Sequence, residues 1–188
     1  MGDRVTSVAA LADAVRAAEP RLGSVRLVCV EGPAGSGKTT LANLLGAELD
    51  GTVLHLDDLY DGWAGLDGVF ERLDEQVLTP LGLGRRGSYQ RYDWELARFA
   101  DWREVPVPAF LVVEGCGSAP RALDGRAVLV VWVEAPVDVR LGRGLARDGE
   151  TMRENWLRWL DLEAAHFARE GTRERADVVV DGRTALQP

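Results

Sequence analysis

A parallel β-sheet covered on both faces by helices is the fold class this sequence predicts, and three observations predict it. Short, continuously apolar runs rich in β-branched residues alternate with stretches of helical spacing. The first of those runs opens into a glycine-rich segment, Gly32-Pro33-Ala34-Gly35-Ser36-Gly37-Lys38-Thr39, which fits the phosphate-loop pattern G-x-x-x-x-G-K-[ST]. Among 22 basic residues only Lys38 is a lysine, and it lies in that segment.

The lone lysine has a reason in shape. An ammonium is a compact charge on a flexible stem, able to fold back among converging amides and reach a β/γ-phosphate; a guanidinium is a broad planar fork. The flanks agree. Val25 to Val30 reads as a buried strand, and Thr40 to Leu49 carries helical spacing through Leu41, Leu44, Leu45 and Leu49. Strand, glycine loop and helix let backbone amides and the positive end of a helix converge on an anion. Gly32 through Thr40 are therefore the expected nucleotide-binding residues, and the fold is a P-loop NTPase three-layer α/β/α sandwich.

Along the chain, Val8, Leu11, Ala12 and Val15 mark an amphipathic helix over 6–18, ending before Pro20. The strand and helix around the loop follow. Thr52 to Leu56 is a second strand, and 67–80 is helical through Val69, Phe70, Leu73 and Val77. Residues 81–93, rich in Gly and Arg, read as loop, and Trp94 to Trp102 as a helix cut off before Pro106 and Pro108. Ala109 to Val113 and Ala127 to Val133 are strands, Val137 to Arg147 and Glu150 to Arg169 helices, and Ala176 to Val180 a last strand. That makes a five-stranded parallel sheet in one domain over 1–188, without internal repeats.

Composition excludes several classes of function. A net charge of -8 argues against general affinity for nucleic acid or an acidic membrane. No apolar run approaches a membrane span, and no basic-then-apolar leader is visible, so a cytoplasmic protein is expected. Cys29 and Cys116 end apolar runs and read as buried thiols rather than a disulfide. His55 and His166 are too isolated for a metal site.

Three further constellations carry chemistry. Leu56-Asp57-Asp58-Leu59-Tyr60 puts two carboxylates where the second strand ends, at the edge where open α/β folds bind ligands. Such a pair also caps turns, but beside a phosphate loop it suits orienting an acceptor hydroxyl and taking its proton. Glu114, closing the apolar run Leu111-Val112-Val113, suits holding Mg²⁺ directly or through water. Arg140, Arg143 and Arg147 recur on one helical face, either as a solvated stripe or as part of a lid over 137–155 closing on transferred phosphate. Gly142, Gly144 and Gly149 would loosen that helix.

From Val25 to Gly182 the chain resembles the uridine kinase group of P-loop kinases, in the wider uridine kinase and phosphoribulokinase superfamily. The markers are Gly32 to Thr40, Asp57 to Tyr60, Tyr92-Asp93-Trp94, Val113-Glu114-Gly115, Asp138 to Asp148, and Ala176 to Val180. The resemblance implies Asp57 as catalytic base, Lys38, Arg143 and Arg147 as catalytic cations, and Thr39, Glu114 and Asp57 near the metal. It implies Tyr60, Tyr92 and Asp93 at the acceptor, with Arg175 to Gly182 beside the adenine; Asp58, next to Asp57, and Arg91, just before Tyr92, are acceptor candidates from their own positions and not from the resemblance.

Two departures bear on the acceptor. Uridine kinases carry a histidine three residues after the aromatic that is Trp94 here, and that position is Ala97. The segment before Tyr92 is instead rich in arginine, with Arg85, Arg86 and Arg91, either a solvated loop or a site for an acceptor bearing phosphate or carboxylate. Trp63 and Trp94 lie close to the acceptor segments and are candidates to stack on a ring. The expected function is transfer of the γ-phosphate of MgATP to a hydroxyl of a small, nucleoside-like acceptor. A nucleoside-monophosphate kinase, an antibiotic-modifying phosphotransferase and a nucleotide-dependent regulatory ATPase are the alternatives, and homo-oligomerisation stays open. No N-K-x-D segment is present to read guanine, which disfavours a GTPase switch.

Overall fold

The computed structural model describes residues 7–183. Its centre is a five-stranded sheet of β1 (Arg26–Glu31), β2 (Thr52–His55), β5 (Phe110–Glu114), β6 (Ala127–Glu134) and β7 (Val178–Asp181), in the order β2-β5-β1-β6-β7. Every pairing in it is parallel. β1 sits in the middle, so the phosphate loop leaves from the most protected strand.

Side chains alternate across β1, and each set meets a different helical layer. Val28 and Val30 face a core built with α1 (Val8–Ala17) and α2 (Lys38–Leu49), through residues such as Leu11, Val15, Leu41 and Leu45. Leu27 and Cys29 face the other core. There they meet Val69, Leu73, Leu78 and Leu81, from α3 (Val69–Leu73), a π-helical stretch (Asp74–Leu78) and α4 (Thr79–Gly82), together with Trp159 of α6 (Arg153–Glu170). This is the three-layer sandwich the apolar strands predict. The helix expected over 6–18 begins at Val8 with Ser7 as its cap, the Ser7 hydroxyl accepting from the Ala10 amide; residue 6 lies outside the described residues. The helix expected over 67–80 is the composite from Val69 to Gly82, and both cysteines are free and buried. α5 (Val137–Asp148) precedes α6, and α7 (Thr172–Arg175) leads into β7. Among the described residues no helix is long and apolar enough to cross a membrane.

One region departs from expectation. Residues 81–93 are not a loop throughout, and 94–102 are not a helix. β3 (Gly87–Asp93) and β4 (Arg98–Val105) form an antiparallel hairpin. The pattern hid it for two reasons. A register shift between Gln90 and Tyr92 breaks the alternation along β3, and β4 lies mostly in solvent, with Trp102 60% exposed, so burial imposes no period of two. The turn also lacks glycine: Asp93 Oδ1 accepts from the amides of Glu95 and Leu96, and Ala97 takes the left-handed φ of 49° that glycine usually supplies. Replacing Ala97 by Gly should relieve that strain by more than the added chain entropy costs. A net gain of about 0.5–1 kcal/mol, seen as a rise of roughly 1–4 °C in Tm, is expected by calorimetry.

Candidate active site

The carboxyl ends of β1, β2 and β5 open onto one cavity of about 800 Å³. Ala34, Gly35, Lys38 and Thr39 of the phosphate loop line it, with Asp57 after β2, Glu114 at the end of β5, and Arg147 from α5. Three segments far apart in sequence meet here because parallel strands all end on the same edge.

The loop's shape suits an anion. Gly35 and Gly37 hold φ of 76° and 107°, and a Cβ at Gly35 would come within 2.6 Å of the Arg140 carbonyl oxygen. The amides of Gly35 and Gly37 have no acceptor among the described residues. Converging free amides ahead of a twelve-residue helix, α2, form a concave positive end. Lys38 is 7% exposed and curls back to donate to the Pro33 carbonyl at 2.9 Å. Burial opposes its charge, but the Cys116 sulfur and the carboxylates Glu114, Glu163 and Glu31 outweigh it, and its pKa lies above the ordinary lysine range.

Opposite the loop stand the acids. Asp57 is open to the cavity yet hemmed in by protein, and that restricted hydration raises its pKa, with Glu114 adding to the effect. Glu114 is 3% exposed; its Oε1 accepts from the Thr39 hydroxyl at 3.1 Å and lies 2.7 Å from His55 Nδ1. That hydrogen bond raises the His55 pKa against a smaller effect of burial. Among the described residues no group of three or more His, Cys, Asp or Glu forms a ready-made cation cage. Thr39 and Glu114 are hard oxygen donors side by side, the sparse set that magnesium uses when phosphate and water complete its shell.

The other expected site residues divide. Tyr60 lines the cavity, its hydroxyl donating to the Cys116 carbonyl at 2.8 Å. Thr40 lies exposed in the first turn of α2. Asp58 is off the cavity wall and accepts from the Tyr89 hydroxyl at 3.0 Å. Tyr92 is buried in the hairpin, 5.2 Å from both Trp94 and Phe99 between ring centroids, and Asp93 caps the turn. Arg91 pairs with Asp101 at 3.0 Å, and Arg86 with Glu104 at 3.2 Å; neither reaches the cavity, nor does Arg85. The arginine stripe of α5 also splits. Arg140 is buried against Glu163 at 2.6 Å, and Arg143 donates to the carbonyls of Gly35, Ser36 and Gly182. Arg147 faces the cavity and chelates Asp148 at 2.7 and 3.0 Å. Gly144 gives close approach rather than looseness, since a Cβ there would fall 2.3 Å from the Trp156 ring.

Sequence reasoning missed two carboxylates that hold the loop. Glu163, 2% exposed on α6, accepts from the Ala34 amide at 2.7 Å while pairing with Arg140. Glu31, fully buried, accepts from the amides of Gly32, Gly117 and Ala119 at 3.2, 2.8 and 2.7 Å. The signal for Glu163 was an acid on the helix face that carries Trp156 and Trp159; for Glu31 it was an acid at the end of a buried strand.

Phosphate loop, parallel sheet and strand-edge acids together give the P-loop kinase fold. Two solved structures share it. A candidate uridine kinase from Bacillus stearothermophilus superposes with a TM-score of 0.69 at 22% identity, covering 93% of this chain and 97% of that one. A candidate fructose transport system kinase from Silicibacter sp. TM1040 gives 0.58 at 23% identity, with the same coverages of 93% and 97%. No family model and no curated protein matches the chain.

Burial raises the Glu31 pKa from 4.5 to about 7, against the pull of its three amide donors and Lys38. The folded state thus holds this proton more tightly than the unfolded chain, and stability falls as pH rises from 4.5 through about 7. Glu31→Gln removes that dependence, so the stability advantage of wild type over the variant should shrink by up to about 3 kcal/mol across this window in urea melts. Glu163→Ala strands the Arg140 charge and should cost roughly 3–5 kcal/mol, while adding Arg140→Leu in the same chain should restore part of that loss.

Proposed function

We propose that this chain is an ATP-dependent small-molecule kinase, moving the γ-phosphate of MgATP to a hydroxyl of a small, nucleoside-like acceptor. The observation that carries the reading is the meeting of Lys38, Thr39, Asp57, Glu114 and Arg147 on one cavity wall. Kinases among the proteins of the same fold support it.

In this reading the loop amides and Lys38 receive the β- and γ-phosphates. Asp57 orients the acceptor hydroxyl in line with the γ-phosphorus. As the new oxygen–phosphorus bond forms, the bond to the bridging oxygen breaks, ADP leaves with that electron pair, and the hydroxyl proton passes to Asp57. A carboxylate held above its ordinary pKa is a better acceptor for that proton than one in bulk water. Thr39 and Glu114 would hold a magnesium ion, with Asp57 beside them, and the ion would supply charge neutralisation to the phosphates. Arg147 offsets charge on the transferred group, and Arg143 keeps the loop carbonyls turned outward so that the amides face in. The segment from Val137 acts as the lid through its far end, where Arg147 lies.

Lys38→Ala should abolish transfer. Asp57→Asn should cut kcat by about 10²–10⁴-fold and leave ATP affinity unchanged. The assay is ADP release with MgATP over nucleosides, monophosphates and other alcohols. Full turnover in Asp57→Asn overturns the role given to that residue. ADP release that no acceptor stimulates points instead to a regulatory ATPase.

A further inference from the structure

One side of the cavity is aromatic. Trp63 stands at its centre, edge-on to Trp94, Trp156 and Trp159 with ring centroids 5.9, 6.1 and 6.3 Å away. Tyr60 continues the wall, 4.8 Å from Trp159. All five rings line the cavity, but Tyr60, Trp156 and Trp159 are buried behind it, so the aromatic surface open to a ligand is that of half-buried Trp63 and of Trp94, which is 43% exposed. Such a wall takes a flat ring or a cation against its π-faces.

Charge decides between acceptor classes. Four carboxylates line the cavity, Asp57, Glu95, Glu114 and Asp148, against two cations, Lys38 and Arg147. In the kinase reading both cations serve the transferred phosphate rather than a charge on the acceptor. Lys38 is folded into the phosphate loop, and Arg147 is chelated by Asp148, which also accepts from Trp156 Nε1 at 2.9 Å. The hairpin arginines that would serve an anionic acceptor lie off the wall. Glu95, next to Trp94 in the hairpin turn, has no cationic partner among the described residues.

We infer that the acceptor is an alcohol carrying a positively charged group, an ammonium or a cationic ring, held between the tryptophan wall and Glu95. A compound already bearing phosphate or carboxylate is rejected. This inference rests on the kinase reading and specifies its acceptor; the bonds made and broken are those already written.

Three probes that share a benzyl ring isolate the charge: benzyltrimethylammonium, benzyl alcohol and benzyl phosphate. Each is titrated into the full-length protein in the presence of MgADP, with binding read by tryptophan fluorescence and calorimetry. The ammonium should bind at least about tenfold more tightly than the phosphate. Glu95→Gln should weaken the ammonium probe about three- to tenfold and leave benzyl alcohol within about twofold, with Tm unchanged because the side chain is exposed. Glu95→Lys should reverse the order of the charged probes. Equal binding of all three, tighter binding of benzyl phosphate, or an ammonium preference untouched in Glu95→Gln overturns the inference. MgATP binding, followed by thermal shift in wild type and Lys38→Ala, is scored separately. If it is intact while the charge preference is missing, only the acceptor assignment falls. If nucleotide binding is absent, the kinase reading itself falls.

Discussion

The arrangement of the site depends on a carboxylate with almost no contact with water. Glu163 grips the Ala34 amide with one oxygen and the Arg140 guanidinium with the other, and Arg140 in turn donates to the carbonyls of Ala34 and Ala135. Both polar groups of one loop residue are thereby held by one buried ion pair. In a low-dielectric interior such a pair gains little net stability over apolar packing, but it tolerates no misplacement of its members. Glu31 does the same for the start of the loop and for the segment after β5, through three backbone amides. The loop is held in shape by carboxyl groups buried behind it, and Lys38 keeps its own charge because the Cys116 sulfur, Glu114 and those same acids outweigh its burial.

This scaffold couples parts of the molecule that sequence keeps apart. Trp156, Trp159 and Glu163 fall on one face of α6, so the helix that supports the phosphate loop also builds the aromatic wall. α5 is locked to the loop at Arg140 and Arg143, and Gly144 lets the Trp156 ring lie directly against the helix. Only its last turn, with Arg147 and Asp148, reaches the cavity. A substitution in α6 would thus be felt both at the glycine loop, through hydrogen bonding, and at the aromatic side of the cavity, through packing.

The hairpin shows where local reading fails. Its outer strand β4 lies mostly in solvent, where side chains are under little pressure to alternate, the register of β3 shifts between Gln90 and Tyr92, and its turn uses alanine and an aspartate cap in place of glycine. Yet the same hairpin delivers Trp94 and Glu95 to the cavity, and Trp94 Nε1 donates to the Asp57 carbonyl at 3.0 Å. An element almost invisible in the pattern sets part of the wall around the proposed base.

What the chain's letters determined were the parts governed by short-range rules: five apolar strands, the helices between them, and a glycine loop whose amides and lone lysine fit phosphate. Asp57 and Glu114 were legible too, because a parallel sheet carries the acid after each strand to the same edge. The tertiary structure alone decided how the cations are used. Nothing in the spacing of Arg140, Arg143 and Arg147 says that one is buried on Glu163, one spans loop carbonyls and one faces the cavity. Nor does the run Arg85, Arg86 and Arg91 reveal that the hairpin carries it away from the cavity wall. Charge acts through space, and the partner of each charge is set by the long-range packing of helices and hairpin, which no local pattern encodes.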